Sequence, residues 1–340
     1  MNETMRWALL GASDIASSRM LPAIRAAGSE AVVVRSDDEQ RAVDFATNND
    51  IASFTTSVDD AVNRADVDVV YVGSRNQDHP AQVIAASRAG KPVLAEKPLA
   101  LTLDEAKAMV GACESAGVVM ATNHHLPASP VHQKMKELVA DGEIGNVLAV
   151  HVNHAVGLPA HLRGWRVDDP VAGGVVLDVF IHDMAAVAAI IGGQAQEVSA
   201  MARSTHETTA PDSVMTTVRW TDDVIVQTHD AYDNYDLPSG LDILGNAGAI
   251  RSTASMTGDP IGDVTVYHGH EATPIDIPNR RDLYLTAVEA FENAVRTGVS
   301  PLVTAHDGLR SLAAALAAQQ SLRSGSTVSV EPIPIPARGS

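Results

Sequence analysis

The stretch that decides the fold is "WALLGASDIA", residues 7–16. Its apolar run from Trp7 to Leu10 predicts a buried parallel strand, Gly11 interrupts the run, and a helical pattern begins near Asp14. A strand, a glycine turn and a helix in this order are typical of the first unit of a dinucleotide-binding fold.

The same alternation continues through the first third of the chain. Strand patterns lie at 6–11, 30–35, 67–73, 91–95 and 118–122, and helical patterns lie around 14–27, 39–48, 77–89 and 102–116. Continuous apolar strands joined by helical crossovers predict an α/β Rossmann domain with a doubly wound parallel sheet over residues 1–123.

The pattern changes after a predicted helix at 130–141. Strand patterns at 147–153, 213–220, 224–229 and 241–244 follow one another with turn residues between them, and helical patterns lie at 175–191, 281–297 and 305–323. Residues 124–330 are therefore predicted to form an α+β substrate-binding and dimerisation domain around a mostly antiparallel sheet. The tail 331–340, "EPIPIPARGS", is predicted to be irregular because its alternating prolines exclude a helix or a central strand.

Charge and composition exclude several classes of protein. The formal net charge of −18 is unfavourable for binding nucleic acid or an anionic membrane, since both are bound mainly through clustered Lys and Arg. The single cysteine, Cys113, cannot form an intramolecular disulfide, and we expect it to fill a helix. We find no signal peptide and no membrane span, and we expect a cytoplasmic protein.

The first turn matches the Gly-x-Gly-x-x-Gly fingerprint only at Gly11, because Ser13 and Ala16 occupy the other two positions. Both residues are small, Ser13 can donate a hydrogen bond to a phosphate, and the helix that follows presents free N–H groups. The alternative is an ordinary strand-to-helix turn with no ligand.

The residues after the second predicted strand, "VVVRSDDEQR", indicate which nucleotide binds. A hydroxyl at Ser36 and a guanidinium at Arg41 suit the 2′-phosphate of NADP, whereas NAD enzymes commonly place an acidic residue here. Asp37 and Asp38 argue against NADP, although carboxylates also suit a helix start. We favour NADP, and the alternative is that Arg41 is a solvated helix residue.

Two stretches have the residues that carbonyl chemistry requires. Glu96-Lys97-Pro98 follows the strand predicted over 91–95, where the ligand crevice of a doubly wound sheet lies, and the Lys97 ammonium could polarise a substrate carbonyl. Asp178 and His182 lie four residues apart on a helical pattern, so the carboxylate could orient a proton-donating imidazole. The alternatives are a surface lysine in a turn and a buried histidine of the core.

The histidines are numerous but their spacing does not predict a metal site. His124 and His125 follow the last strand of the first domain, and His151, His154 and His161 come soon after. None of these pairs has the His-Glu-x-x-His type of spacing, so we predict no metal and favour contacts with sugar hydroxyls.

These motifs together resemble the glucose-fructose oxidoreductase and inositol dehydrogenase family over the whole chain. That family joins a Rossmann domain to an α+β domain, with Glu-Lys-Pro in the first and Asp-x-x-x-His in the second, and Lys97, Asp178 and His182 match it. The resemblance extends to "GASDIA", to "TNHHL" from Thr122 to Leu126, and to "HAVGLPAHLRGWR" from His154 to Arg166. It departs from the family at Asp14, Asp37, Asp38 and Phe180.

The resemblance implies residue roles. Lys97 and His182 would act at the substrate carbonyl beside Asp178, and the predicted substrate contacts are Lys97, His124, His154, Trp165, Arg166, Asp178 and His182. The predicted cofactor contacts are Gly11, Ser13, Asp14, Ile15, Ala16, Ser36, Arg41, Ser74, Asn76, His79, Glu96, Lys97 and Asn123.

The implied reaction is NADPH-dependent reduction of the C2 carbonyl of 1,5-anhydro-D-fructose to 1,5-anhydro-D-mannitol. The alternatives are an NAD(P)-dependent dehydrogenase of another cyclic polyol or sugar, and a sugar-sensing protein without turnover. We also expect a homodimer through an uncovered face of the second domain's sheet, bearing Val214, Val218, Val224 and Val226.

Overall fold

The computed structural model describes residues 4–204, 210–233 and 236–334. The chain forms two compact units, of which the first contains residues 1–124 and 284–308, and the second contains residues 125–283 and 309–340. Residues 284–308, which the sequence assigns to the second domain, thus cluster with the first unit.

The first unit is built on a six-stranded parallel sheet with the strand order β3-β2-β1-β4-β5-β6. Its strands are β1 (Arg6–Leu10), β2 (Glu30–Arg35), β3 (Ser53–Thr55), β4 (Val69–Val72), β5 (Val93–Glu96) and β6 (Met120–Asn123), and its crossover helices are α1 (Leu21–Ala26), α2 (Glu39–Asn48), α3 (Val58–Val62), α4 (His79–Arg88) and α5 (Leu103–Ala116). A π-helical turn, Ala16–Met20, leads into α1. The predicted doubly wound parallel sheet is confirmed, and β3 and α3 are the elements that were not predicted.

Local sequence explains where these helices begin. Asp38 caps α2 by accepting a hydrogen bond from the Arg41 N–H at 2.8 Å, as expected of a carboxylate at a helix start. Thr102 and Glu105 form a capping box at the start of α5. Cys113 lies buried in the same helix, and burial raises the pKa of its thiol to about 12.

The C-terminal segment of the first unit packs against β1. Helix α9 (Leu283–Thr297) brings Phe291 to Trp7, with ring centroids 5.4 Å apart, and the Trp7 indole N–H donates to Glu292 at 3.0 Å. Trp7 and Phe291 are among the largest fully buried side chains. This aromatic contact explains why a segment distant in sequence joins the Rossmann unit.

The second unit is built on a nine-stranded sheet with the order β14-β13-β12-β11-β7-β10-β9-β8-β15. Its strands are β7 (Val147–Ala155), β8 (Ala195–Arg203), β9 (Ser213–Trp220), β10 (Ile225–Ala231), β11 (Gly240–Gly245), β12 (Ala249–Thr253), β13 (Asp263–His268), β14 (Glu271–Ile275) and β15 (Val328–Ser329). All neighbours pair antiparallel except β7 and β10, so the predicted mostly antiparallel sheet is confirmed.

The helices of the second unit are α6 (Pro130–Ala140), α7 (Gly164–Asp168), α8 (Ile181–Ile191) and α10 (Ala305–Ser324), of which residues 305–308 cluster with the first unit. A π-helical turn, Val176–Phe180, precedes α8. The sequence did not predict α7 or the strands β8, β12, β13, β14 and β15. Residues 331–334 of the tail form neither helix nor strand, as expected, and the rest of the tail lies outside the described residues.

The valines chosen for the uncovered face of the sheet were the wrong residues. Val214, Val218, Val224 and Val226 are between 0% and 6% exposed in the single chain, so the chain itself already covers them. The other face of β9 carries Met215, Thr217 and Arg219, all exposed. The homodimer stays a prediction, without the apolar stripe on which it rested.

Within the described ranges, no helix is both long enough and apolar enough to cross a membrane.

Candidate active site

The turn after β1 brings two backbone segments into close contact. Gly11 has φ +131°, and a Cβ at this position would lie 2.5 Å from the carbonyl oxygen of Gly73, which follows β4. Both the backbone conformation and this contact exclude larger residues. The first glycine of the fingerprint is therefore the one that the fold requires.

The helix after this turn begins with small and polar residues. The Ser13 hydroxyl oxygen accepts from the Ala16 N–H at 3.4 Å, and Ala16 is fully buried. Asp14 is exposed and Ile15 is half-buried, while the Ser18 hydroxyl donates to the Asp14 carbonyl at 2.7 Å. The Ser13 hydroxyl hydrogen can still be donated to a phosphate, as can the N–H groups of the first helical turn.

The residues after β2 include an acidic and a basic side chain, and both affect which cofactor can bind. Ser36 is buried and its hydroxyl contacts the Asp37 carboxylate at 3.4 Å, whereas the exposed Arg41 guanidinium lies 3.7 Å from that carboxylate. Although burial opposes it, a backbone hydrogen bond and the charges of Arg41 and Arg35 lower the pKa of Asp37. Asp37 is thus an anion beside the two residues predicted to bind a 2′-phosphate.

The loop after β4 is tied to the loop after β5 by one histidine. His79 is fully buried, with Nδ1 3.0 Å from the Pro98 carbonyl oxygen and Nε2 3.3 Å from that of Ser74. Burial lowers the pKa of His79, although its contacts with backbone carbonyls oppose the change, and a neutral ring could donate to only one of the two carbonyls at a time. Asn76 is buried in the same loop and the Ser74 hydroxyl donates to Gln82 at 3.0 Å.

A buried polar cluster joins the carboxyl ends of β5 and β6. Glu96 and Asn123 are register partners, and the Asn123 amide donates to Glu96 at 2.6 Å and to the Met20 sulfur at 3.2 Å. The Tyr71 hydroxyl, which the sequence analysis missed, donates to the same Glu96 oxygen at 2.9 Å. Burial raises the pKa of Glu96, although these bonds and the charge of Lys97 oppose the rise. Asn123 Oδ1 has no hydrogen-bond partner among the described residues.

Lys97 lies next to this cluster, half-buried, and a cis peptide bond joins it to Pro98. His124, also in the first unit, is buried, and burial together with the positive charge of Lys97 lowers its pKa to about 3. His124 is therefore neutral near pH 7 and suited to hydrogen bonds rather than to carrying charge.

In the second unit, Asp178 lies on the π-helical turn before α8 and binds two groups. Its Oδ2 accepts from Arg166 Nε at 3.2 Å and from the Tyr232 hydroxyl at 2.9 Å. The Arg166 guanidinium also lies 4.8 Å from the ring centroid of Trp165, which is 45% exposed. Tyr232 was missed by the sequence analysis, because a lone tyrosine after a strand carries no motif.

His182 lies one turn further along, on α8. It is buried, and its ring meets that of His125 edge-on, with centroids 4.5 Å apart. His125 was noticed in the sequence only as part of the pair after β6. The predicted residues of the second unit, Arg166, Asp178 and His182, thus lie on two helical segments that are close in sequence.

A second histidine of this unit is coupled to two acids. His154 Nδ1 lies 2.6 Å from Asp183 Oδ1. One ring nitrogen of His154 and one carboxylate oxygen each of Asp183 and Asp230 all lie within 4.8 Å of one another. Both acids are fully buried. Burial raises the pKa of Asp183 to about 8, and burial and the neighbouring Asp183 raise that of Asp230 well above its ordinary value.

This pair of acids makes the stability of the protein depend on pH. The folded pair retains a proton that the unfolded chain releases near pH 4, so the free energy of unfolding should fall as pH rises from about 4 to about 8, by roughly 1 kcal/mol per pH unit. For Asp230→Asn, the free energy of unfolding, measured by urea denaturation across this pH range, should fall less steeply. Asp223→Asn, at a carboxylate 87% exposed, should keep the wild-type slope. Equal slopes in all three proteins would contradict the assignment.

Comparison with known proteins identifies the family. Residues 5–124 match the family model described as an oxidoreductase family with an NAD-binding Rossmann fold, and residues 132–251 match the GFO/IDH/MocA C-terminal domain. The chain belongs to the GFO/IDH/MocA oxidoreductase family. The resemblance inferred from the motifs is thereby confirmed.

Relatives within the GFO/IDH/MocA family act on sugars and polyols. The chain is 40% identical over 331 residues to a 1,5-anhydro-D-fructose reductase of Ensifer adhaerens, covering 96% of this chain and 98% of the relative. It is 26% identical to a D-xylose 1-dehydrogenase (NADP(+)) of Haloferax volcanii, covering 96% of this chain and all of the relative.

Solved structures share the fold of this family member at lower identity. An aldose-aldose oxidoreductase from Caulobacter crescentus has a TM-score of 0.86 at 21% identity, covering 96% of this chain and 100% of that one. A levoglucosan dehydrogenase in complex with NADH has a TM-score of 0.85 at 20% identity, covering 97% and 100%.

Proposed function

We propose that this oxidoreductase reduces the C2 carbonyl of 1,5-anhydro-D-fructose to 1,5-anhydro-D-mannitol and uses NADPH. The observation that carries the proposal is the 40% identity to a reductase of that name over 96% of the chain. Lys97, Asp178 and His182 supply the polar groups that such a reaction needs.

The first unit fits a dinucleotide in three ways. The Gly11 turn allows a close backbone approach, and the helix that begins at Asp14 offers the N–H groups of its first turn to a pyrophosphate. Asn123 offers a buried oxygen with no partner among the described residues, at the strand ends where doubly wound sheets bind ligands. We assign the 2′-phosphate to Ser36 and Arg41.

When bound, NADPH supplies the hydride for the carbonyl carbon. The ammonium of Lys97 polarises the carbonyl oxygen, and the imidazolium of His182 donates a proton to the alkoxide that forms, which leaves an alcohol and a neutral imidazole. Asp178, held by Arg166 and Tyr232, acts beside His182 as a fixed carboxylate. His182 regains its proton from solvent before the next turnover.

Asp37 favours a second candidate, an NAD-dependent dehydrogenase of another cyclic polyol or sugar. Its ionised carboxylate lies where such enzymes bind the ribose 2′-hydroxyl. Steady-state assays with both cofactors and a panel of cyclic sugars and polyols separate the candidates. The proposed function predicts the highest kcat/KM for 1,5-anhydro-D-fructose with NADPH, and preferential oxidation of an inositol with NAD would replace it.

The cofactor assignment predicts opposite effects of two neighbouring substitutions. Arg41→Ala should raise the KM for NADPH about 10- to 100-fold, the loss of a charge-assisted hydrogen bond, and should change the KM for NADH little. Asp37→Asn should lower the KM for NADPH, because it removes an anion 3.7 Å from the guanidinium. Arg88→Ala, an exposed arginine of α4, is the matched control. If Arg41→Ala changes both Michaelis constants equally, Arg41 does not bind the 2′-phosphate.

A further inference from the structure

Three polar residues on different elements of the second unit meet in its interior. His154 ends β7, Asp230 lies on β10 and Asp183 lies on α8. His154 and Asp230 are register partners in the parallel β7–β10 pair, so the sheet itself fixes their spacing. Asp183 reaches them from the helix and contacts His154 Nδ1 at 2.6 Å.

The two carboxyl groups lie close together, with one oxygen of each within 4.8 Å of the other. Asp183 Oδ2 and Asp230 Oδ1 are both buried and have no hydrogen-bond partner among the described residues. The second oxygen of Asp230 accepts from the Thr228 hydroxyl at 2.6 Å, and that hydroxyl lies 3.0 Å from the Thr216 hydroxyl across the β9–β10 pair.

Two carboxylates that are adjacent and fully buried cannot both be ionised. Nor does a lysine or arginine pair with either of them in the described parts of the chain. A single proton shared by the two acids lets one carboxyl group donate a hydrogen bond to the other. Asp230 is then the acid that donates, and Asp183 the carboxylate that accepts.

We propose that Asp183 and Asp230 share one proton and together act as positioning residues for His154, keeping its Nδ1 protonated so that Nε2 is the acceptor nitrogen of the ring. His154 is the only member of the trio with measurable exposure, 8% against 0% for both acids. The role of His154 toward a sugar rests on the proposed function, whereas the shared proton does not. Burial raises the pKa of both acids, which agrees with a retained proton.

The shared proton has a spectroscopic test that needs no substrate. In the infrared spectrum of the wild-type protein near pH 7, the carbonyl stretch of a protonated, buried carboxylic acid should be present, and Asp230→Asn, which leaves Asp183 as the only acid of the pair, should shift the frequency of this band. The ¹⁵N spectrum of His154 should show a protonated Nδ1 in both proteins. Absence of the acid band overturns the proposal, and so does one tightly bound metal ion per chain in the purified protein.

Kinetic variants test the positioning role. Asp230→Asn keeps a donor to Asp183 and should raise the KM for the sugar less than Asp183→Ala does. Asp183→Ala removes the acceptor of the Nδ1 proton and should raise the KM for the sugar about tenfold with a smaller change in kcat, whereas Asp183→Asn retains an acceptor oxygen and should restore most of the affinity. If Asp230→Asn instead lowers activity as much as Asp183→Ala, the ionised form of Asp230 is required and the proposal is wrong.

The outcomes for the pair and for the proposed function are distinct. An acid band and a fixed His154 tautomer in a protein that does not reduce 1,5-anhydro-D-fructose would overturn the function and leave the pair in place. Full reductase activity in a protein without the acid band would do the reverse. A poorly folded Asp183→Ala variant leaves the decision to the wild-type and Asp230→Asn spectra.

Discussion

His182→Ala is expected to turn over its sugar substrate about 100- to 10,000-fold more slowly than the wild type, which is the usual contribution of general acid catalysis. The imidazole is the proposed proton donor to the alkoxide, and the substitution leaves hydride transfer without it. NADPH binding, followed by its fluorescence, should stay close to that of the wild type, because His182 belongs to the second unit and the proposed cofactor residues to the first.

His151→Ala is the matched control for this experiment. His151 is an exposed histidine in the middle of β7 in the same unit, and its loss should leave turnover unchanged. Near wild-type turnover in His182→Ala would mean that another group donates the proton. Asp178→Asn should have a milder effect than His182→Ala if Asp178 only orients the imidazole.

Lys97→Ala is expected to lower turnover about 100- to 1,000-fold, the range observed when one group that stabilises a developing oxyanion is removed. The KM for the sugar should rise as well, because an ammonium also binds hydroxyls of the ground state. Lys97→Arg preserves the charge and should lose less of the turnover than Lys97→Ala.

The same substitution has a readout that does not depend on activity. After burial, the charge of Lys97 is the main influence that lowers the pKa of His124 to about 3. In Lys97→Ala the pKa of His124, measured by NMR titration, should rise, and in Lys97→Arg it should stay low. If Lys97→Ala has wild-type kinetics and a raised His124 pKa, Lys97 lies near His124 as described but takes no part in the reaction.

Long, strongly patterned segments of this chain were predictable from sequence, and short or exposed ones were not. The apolar strand that contains Trp7 and the helix from Leu103 to Ala116 have apolar patterns clear enough to be recognised from the sequence. Strand β3 has only three residues, and β14 is almost wholly exposed, so neither shows an apolar pattern. Such strands form because a neighbouring strand offers hydrogen-bonding groups.

The error over the valines has a related cause. Alternation along β9 correctly separates Val214 and Val218 from Met215 and Thr217, because side chains in a strand point to opposite faces in turn. It does not say which face the rest of the chain covers. That depends on where the helices pack, which is a property of the whole fold.

The sequence by itself determined the Rossmann unit, the need for Gly11 at the first turn, and the positions of Lys97, Asp178 and His182, because each depends on a motif or period within a few residues. Only the tertiary structure decided which buried polar groups meet. Glu96 meets Asn123, and His154 meets Asp230, through strand register, and Asp183 reaches His154 from a helix. These contacts join residues tens of positions apart. Their distances are set when the strands of the sheet pair, and a pattern within a few residues of sequence does not determine that pairing.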